Sequence, residues 1–553
     1  MAPDRLIIQT TSGEVSGFVS THPISVESSA HVTTSGGRPP VRQWLGIPYG
    51  HAKRWERSRP FPPWTGIRDC LEYSASFPQH GNPFDKLYGG KVPGWLSRDS
   101  LGQSEDAFTV NVFSPAGDYL ELPVIVWVHG GALNSGSANN PIYDPSEFVR
   151  HQEQDGTPCV VVTLNYRRVQ VGIFGFFAHE AIDKHNGYPG NFGLHDVILA
   201  LSWVQDNIAG FGGNADNVTA AGESSGAFLL SILISSGRKL FQKVIIESGN
   251  QTLVPLQSTP TYPQFPKLLH ILGIDIGLNT DDQIAALKAV PFETLVQAAG
   301  QLYYRGIWNI TCDPSESGWS TSYFDPLLKG EYDPWISSLL ISFNKDEGTI
   351  FNMNARWWEE DRLLSLFRRS QLYSDDMYRG FRQLYPEDGC VPDKSNLKSH
   401  WSSQFYYDQQ YLAPSVLIAD ILTSIPNKHT SKTMSVYICQ FSTVPASLLK
   451  DNEGLGTLHT AEIPFFFNTA CLWDYEESSA DAITAAEVGS RWNRYARTGD
   501  PGWKPFTKVG GQMLEFYDSG ATRTRSVWDI RAEYRSWWCE QLKKLHFVHS
   551  IRN

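Results

Sequence analysis

The sequence has few cysteines, and they form no recognisable pattern. Seven occur among 553 residues, with no Cys-x-x-Cys pair and no cysteine–histidine spacing typical of a metal site. An odd number of widely spaced cysteines indicates free thiols in a reducing compartment rather than a disulfide framework. We therefore expect no metal site and no stabilising disulfide bonds.

Long hydrophobic runs and a basic surface are also absent. The longest apolar stretches, at 160–164 and 228–234, are far shorter than the roughly 18 residues of a membrane span. Lysine and arginine number 46 and aspartate and glutamate 58, so the formal net charge is −12, which argues against binding of nucleic acid. No basic segment followed by an apolar one marks a secretory leader. We expect a soluble, cytoplasmic protein.

The composition supplies ample material for a core, because 41% of the residues are hydrophobic and 13% are aromatic. No linker, internal repeat or low-complexity tract divides the chain, so we predict one domain over residues 1–553. From about residue 120, short β-branched runs alternate with helical patterns, which indicates a parallel sheet covered by helices on both faces. The predicted strands are 124–128, 160–164, 218–221, 243–246, 339–343 and 435–438.

Two long segments between predicted strands, about 253–332 and 352–434, are rich in helix formers and aromatic residues. Such insertions predict a helical cap or gorge over the carboxyl edge of the sheet, where ligands bind in open α/β folds. The first hundred residues differ, because turn signals separate short alternating runs. These runs predict antiparallel strands at the edge of the sheet.

The sharpest local signal is Gly222-Glu223-Ser224-Ser225-Gly226. A Gly-x-Ser-x-Gly pattern occurs by chance in about one such sequence in three, so the pattern alone is weak. Here it lies between a predicted strand and a helical pattern, which is the context of a nucleophile elbow. We predict Ser224 as a nucleophile that a general base must activate. Glu223 is expected to be a buried acid without a catalytic role.

A second motif, His129-Gly130-Gly131-Ala132, follows the predicted strand 124–128. Backbone amides in a loop at this place can stabilise the oxyanion of an acyl-transfer reaction, together with the amide that follows the nucleophile. We predict that the amides of Gly131, Ala132 and Ser225 form an oxyanion hole.

Further blocks occur in order along the chain. They are Gly46-Ile47-Pro48-Tyr49, Asn165-Tyr166-Arg167, Gly190-Asn191-Phe192-Gly193-Leu194, Lys345-Asp346-Glu347-Gly348-Thr349, His459 with Glu462, and Tyr495-Ala496-Arg497-Thr498-Gly499-Asp500-Pro501. Together they resemble, nearly end to end, the type-B carboxylesterase/lipase family, which includes cholinesterases, and most of all its fungal carboxylesterases. The resemblance implies an α/β-hydrolase fold, with a large, mostly parallel central sheet, helices on both faces and helical cap insertions.

The same resemblance implies a catalytic triad of Ser224, Glu347 and His459. Their order along the chain, serine then acid then histidine, is that of the α/β-hydrolases. His459 would take the proton of Ser224, and Glu347 would fix the imidazole tautomer. No cofactor and no metal is required.

Other residues receive supporting roles from the resemblance. Ser248 and Glu462 match polar positions behind the triad. Leu133, Trp308 and Phe351 are expected to line the substrate pocket. Two structural ion pairs are also expected, Arg167 with Asp196 and Arg54 with Glu105.

The predicted function is a serine carboxylic-ester hydrolase that acts through an acyl-enzyme on a hydrophobic or aromatic small-molecule ester. Two alternatives stay open. The acyl-enzyme could serve a lactone or amide hydrolase, or an acyl transferase or cyclase of natural-product metabolism. The chain could also be a non-catalytic interaction protein on an esterase scaffold. Action on aggregated lipid behind a lid is a narrower alternative, and the sequence leaves the oligomeric state open.

Overall fold

The computed structural model describes residues 6–21, 39–79, 101–167, 173–251, 265–302, 310–320, 322, 324–352, 374–386, 395–446, 448, 454–469, 479–518 and 520–551. Most of the strands in these residues join one large sheet. They are β1 (Leu6–Gln9), β2 (Glu14–Ser20), β3 (Val41–Pro48), β4 (Gly50–His51), β5 (Arg59–Pro60), β6 (Ile67–Asp69), β7 (Thr109–Pro115), β8 (Leu122–Val128), β9 (Val160–Leu164), β10 (Gly213–Glu223), β11 (Lys243–Glu247), β12 (Ser338–Asn344), β13 (Ser435–Phe441), β14 (Gln512–Asp518) and β15 (Ala521–Ser526).

The large sheet has 13 strands in the order β1-β2-β3-β7-β9-β8-β10-β11-β12-β13-β14-β15, with β6 beside β2. The run from β9 through β8 to β14 is parallel. The strands from β1 to β3, and β7 against its neighbours, pair antiparallel. The carboxyl ends of β8, β10, β11 and β12 therefore meet at one edge, which is where ligands bind in such sheets.

Helices cover both faces of the sheet. They are α1 (Ser146–Gln154), α2 (Glu180–Asn186), α3 (Phe192–Asn207), α4 (Ser225–Leu233), α5 (Phe265–Ile271), α6 (Thr280–Ala289), α7 (Phe292–Leu302), α8 (Asp325–Leu328), α9 (Asp375–Leu384), α10 (Trp401–Tyr406), α11 (Ala413–Ser424), α12 (Ile463–Phe466), α13 (Ala480–Thr498) and α14 (Ala532–Ile551). Short 3₁₀ helices span Pro141–Tyr143, Ile208–Phe211, Glu347–Asn352 and Val527–Asp529, and a π-helix spans Tyr407–Leu412.

Strand β8 shows how the sheet separates two cores. Its side chains alternate between the faces, so that Val124 and Val126 join a cluster with α3, α4 and α11, whereas Ile125 and Trp127 join a cluster with α1 and α13. A strand that is apolar on both faces is typical of a parallel sheet covered by helices. The continuous apolar run 124–128 is thus explained by burial on both sides.

The strands predicted from the β-branched runs are confirmed, and so are the antiparallel strands near the N-terminus. The main difference is β10, which begins at Gly213 rather than Val218. Its first five residues are polar or small, and its pairing with β8 is irregular between Gly213 and Val218, so no apolar run marks this start. Helices α5 to α8 lie in the first predicted insertion and α9 to α11 in the second; the single domain and the cap stay predictions.

Both expected ion pairs are confirmed. The Arg167 guanidinium donates two hydrogen bonds of 2.8 Å to the buried Asp196 carboxylate, and Arg54 donates two of 2.8 Å to Glu105. The cysteines within the described residues are free thiols. Within the same part of the chain, no helix combines the length and the apolar character needed to cross a lipid bilayer.

Candidate active site

Ser224 occupies a strained turn between β10 and α4. Its backbone has φ 53° and ψ −121°, in a region that residues with a Cβ atom rarely adopt, and such strain concentrates at functional sites. The residues two positions before and after it must be glycine. A Cβ atom on Gly226 would lie 1.9 Å from the Val128 carbonyl oxygen, and one on Gly222 would lie 2.8 Å from the same oxygen. The Gly-x-Ser-x-Gly pattern is therefore the consequence of a helix that packs directly against β8.

The loop predicted to hold the oxyanion lies against this turn. A Cβ atom on Gly130 would lie 2.1 Å from Glu223 Oε2 and 3.0 Å from Ser224 Cβ, so only glycine allows the approach. Gly131 and Ala132 follow with positive φ angles of 123° and 56°, and the Asn134 amide closes the turn with a 2.9 Å hydrogen bond to Gly131 O. The structure thus brings the two predicted backbone motifs together.

Ser225 is the first residue of α4. The first amides of a helix have no intrahelical acceptor, and they carry the positive end of the helix dipole. The Ser225 amide is therefore a donor suited to a developing negative charge beside Ser224.

Glu347 and His459 form a buried pair. Glu347 follows the end of β12, and its Oε1 accepts a 2.7 Å hydrogen bond from the Asn344 amide. Its Oε2 lies 2.7 Å from His459 Nδ1, and both side chains are at least 97% buried. The two residues are 112 positions apart in the sequence. This is the geometry of a carboxylate that orients an imidazole.

Glu223 reaches the opposite side of the same imidazole. Its Oε1 lies 3.1 Å from His459 Nε2, and its side chain is 2% exposed. Among the described residues, no hydrogen bond joins the Ser224 hydroxyl to His459; the carboxylate of the preceding residue takes that side of the ring. Sequence reasoning predicted the burial of Glu223 and missed this contact. The sequence signal that could have indicated this contact is the position of Glu223 directly before the predicted nucleophile.

The protonation of His459 reflects these neighbours. Burial disfavours the imidazolium, but the charges of Glu223 and Glu347 outweigh it and raise the pKa of His459 to about 9. Hydrogen bonds and opposite charges within a few ångströms commonly have this effect. The neighbouring carboxylates thus favour the protonated form of the imidazole.

Ser248 and Glu462, to which the resemblance gave a supporting role, lie close to this pair. The Ser248 hydroxyl donates a 3.2 Å hydrogen bond to Glu462 Oε1, and Glu462 Oε2 accepts a hydrogen bond from the Asn344 side chain. The Asn344 backbone N–H also donates to Glu347 Oε1, so Asn344 links Glu462 to Glu347. Burial and the charge of Glu347 raise the pKa of Glu462 to about 7.

Two of the three predicted pocket residues fall within the described chain. Leu133 is buried in the turn that carries Gly131, and the Phe351 ring centroid lies 5.8 Å from that of His459. Trp308 lies outside the described residues. Sequence reasoning missed Tyr411, whose ring centroid lies 5.4 Å from His459, because no local motif marks it.

Among the described residues, one group of side chains could hold a metal ion. His195, Asp313 and Glu316 bring their ligand atoms within 4.8 Å of one another. Both carboxylates are already paired, because Arg57 contacts Asp313 at 2.5 Å and Arg238 contacts Glu316 at 2.8 Å. A divalent cation would have to compete with two guanidinium groups. The chemistry of this set is that of an ion-pair network.

Comparisons with known proteins show which family the chain resembles. A family model described as Carboxylesterase family matches residues 5–529. The para-nitrobenzyl esterase of Bacillus subtilis (strain 168) is 39% identical over 278 residues, which are 49% of this chain and 50% of that protein. The phenmedipham hydrolase of Pseudarthrobacter oxydans is 27% identical over 95% of this chain and 97% of its own.

The similarity extends to eukaryotic enzymes and to solved structures. The acetylcholinesterase of Bungarus fasciatus is 26% identical over 91% of this chain and 83% of its own length. The solved structure of a thermophilic PNB esterase superposes with a TM-score of 0.75 at 26% identity and covers 96% of this chain and 99% of that one. These neighbours confirm the α/β-hydrolase fold predicted from the sequence.

Proposed function

The chain belongs to the carboxylesterase family, and from this premise we propose that it hydrolyses esters through an acyl-enzyme on Ser224. That it is a carboxylesterase-type hydrolase follows from the family and from its esterase relatives. The observation that carries the catalytic assignment is the buried Glu347–His459 pair, whose imidazole contacts the residue next to Ser224 on a strained turn. A histidine oriented by a carboxylate is the general base that a serine nucleophile requires.

The proposed reaction begins when neutral His459 takes the proton of the Ser224 hydroxyl as its oxygen attacks the ester carbonyl carbon. The amides of Gly131, Ala132 and Ser225 donate to the oxyanion that forms. The carbon–oxygen bond to the alcohol breaks, and His459 returns the proton to the leaving oxygen. Water, deprotonated by the same imidazole, then attacks the acyl-enzyme, and the carboxylic acid leaves. Because Glu223 lies against His459 Nε2, this carboxylate must yield its place to the serine hydroxyl when substrate binds.

We further propose a hydrophobic or aromatic small-molecule ester as the substrate. Leu133 and Phe351 are apolar side chains close to the proposed oxyanion loop and to the imidazole, respectively. The printed name of one relative, para-nitrobenzyl esterase, describes an ester of an aromatic alcohol. Small, mostly apolar sites with few polar groups favour such ligands. A cytoplasmic location stays a prediction from the sequence.

The test of this function is the capture of the acyl-enzyme. Rapid mixing with para-nitrophenyl acetate should release a burst of about one nitrophenolate for each active site when deacylation is the slower step. A fluorophosphonate should add to the peptide that contains Ser224, as seen by mass spectrometry. Loss of hydrolysis upon labelling of another residue, with Ser224 unmodified, would contradict the assignment. Added alcohols or amines that divert the acyl group would instead favour the transferase alternative.

The pH dependence of kcat/KM should reflect the effect of the two carboxylates, Glu223 and Glu347, on the pKa of His459. Only the neutral imidazole accepts the serine proton, so kcat/KM should rise with pH and reach half its maximum near the His459 pKa of about 9. Glu223→Gln removes a negative charge that raises this pKa, so the ascending limb should move to lower pH by about 1 unit or more.

The control is Glu487→Gln, which removes a partly exposed carboxylate on the surface of α13. Its pH profile should match the wild type. An ascending limb of Glu223→Gln that stays in place or moves to higher pH would show that Glu223 does not govern the protonation of His459.

A further inference from the structure

A π-helical turn interrupts the helices of the second insertion. Residues Tyr407–Leu412 form it between α10 and α11. Single π-turns inside helices are rare, and they occur frequently at functional sites, because the extra residue in the turn changes where the following side chains point. The helices α10 and α11 are regular, whereas the π-turn between them is not. The presence of the π-turn must therefore be explained by the contacts that its side chains make.

Tyr411 is the residue of this turn whose side chain lies next to His459. Its ring centroid lies 5.4 Å from that of His459, at an interplanar angle of 47°. Phe351 lies 5.8 Å from His459 and 6.5 Å from Tyr411, so the two aromatic rings enclose one side of the imidazole. Tyr411 is 1% exposed. Burial, together with the charges of Glu347 and Glu223, raises the pKa of Tyr411 well above its usual range, and its hydroxyl is therefore neutral.

The turn is fixed from its other side by a buried ion pair. Arg531, the residue before α14, donates two hydrogen bonds of 2.6 Å to the fully buried Asp408 carboxylate. The Tyr385 hydroxyl donates a third, of 2.6 Å, to the same carboxylate. In addition, the Asn250 side chain donates a 3.2 Å hydrogen bond to Gln410 O. The position of the turn therefore depends on the C-terminal helix and on the loop that follows β11.

We propose that Tyr411 is a positioning residue for His459, and that the Asp408–Arg531 pair sets the place of Tyr411 by holding the π-turn against the C-terminal helix. The inference rests on the proposed function, because it assumes that His459 is the general base. The packed ring limits rotation of the imidazole and keeps water from the space beside it. Misplacement of a reacting group by about 1 Å can cost about 100-fold in rate.

The test compares Tyr411→Phe with Tyr411→Leu. The phenylalanine ring preserves the contact, so its kcat should stay within about threefold of the wild type. Leucine removes the ring, so kcat should fall by about 10- to 100-fold with little change in KM, because the residue contacts the base rather than the substrate. Tyr411→Met, whose unbranched side chain adapts better to an irregular space, replaces the leucine variant if thermal melting shows that the latter is unfolded.

A double-mutant cycle tests the role of the ion pair. Asp408→Asn should lower kcat in the wild-type background and add little to the loss caused by Tyr411→Leu, because both changes act through the same ring. Asp420→Asn is the matched control. Its carboxylate, on α11, pairs with the exposed Lys508 amine at 3.3 Å, and its kcat should equal that of the wild type.

Three results would overturn the inference. They are a wild-type kcat in Tyr411→Leu, equal losses in Tyr411→Phe and Tyr411→Leu, or strictly additive effects of Asp408→Asn and Tyr411→Leu. Fluorophosphonate labelling separates these from a failure of the proposed function. If Ser224 is not the nucleophile, the wild type itself is not labelled at that residue. If only the role of Tyr411 is wrong, Tyr411→Leu is labelled at Ser224 at the wild-type rate.

Discussion

Ser224→Ala should lower kcat for an activated ester by about 10⁴-fold or more, because removal of the nucleophile abolishes the acyl-enzyme and leaves only binding and the oxyanion donors. The fold should survive. Alanine, like serine, carries a Cβ atom, so the strained backbone at φ 53° costs the two residues about the same. Ester hydrolysis and thermal melting, followed side by side, measure both expectations.

Ser231→Ala is the matched control for this variant. Ser231 lies on α4, the helix that follows the nucleophile, and its hydroxyl donates a 2.7 Å hydrogen bond to the Phe228 carbonyl. Loss of this local bond should leave kcat within about twofold of the wild type, since a typical intramolecular hydrogen bond contributes only about 1 kcal/mol. Full ester hydrolysis by purified Ser224→Ala would contradict the proposed mechanism. Full biological activity of a Ser224→Ala variant that no longer hydrolyses esters would revive the alternative of an interaction protein.

Glu347→Gln should reduce kcat by about 10⁴-fold. The glutamine oxygen can still accept the Asn344 amide, which lies 2.7 Å from Oε1, but the amide nitrogen would donate toward His459 Nδ1. The imidazole would then carry its proton on Nε2, where it must instead accept the proton of Ser224. Because the tautomer is wrong, a higher pH should not restore the rate. This distinguishes Glu347→Gln from Glu223→Gln, whose activity should appear at lower pH.

Glu331→Gln controls for the chemistry of the substitution. Glu331 forms an exposed ion pair with Lys428 at 2.8 Å, and such pairs contribute at most about 1 kcal/mol. Its kcat should be that of the wild type. A Glu347→Gln variant that retains more than about a tenth of wild-type kcat would show that another group orients His459.

The sequence by itself determined the framework of this protein. β-branched runs such as 124–128 predicted the parallel strands, because a strand buried on both faces must be apolar throughout. Gly222 and Gly226 flank Ser224 because their α-carbons approach β8 too closely for any Cβ atom. The nucleophile elbow could therefore be predicted from residues 222–226. The serine–acid–histidine order, together with the family resemblance, likewise identified Glu347 and His459 from the sequence.

Only the tertiary structure decided what surrounds His459. The burial of Glu223 could be predicted from the sequence. Its 3.1 Å contact with His459 Nε2 could not, because that contact depends on how two loops meet at the sheet edge. Tyr411 could not be predicted, because a single extra residue in the π-turn sets its direction, and a distant pair, Asp408 and Arg531, holds that turn. Strands and glycine turns can be predicted from short stretches of sequence, because local sterics and burial create them. Contacts between residues far apart in the chain arise from packing, which no local pattern encodes.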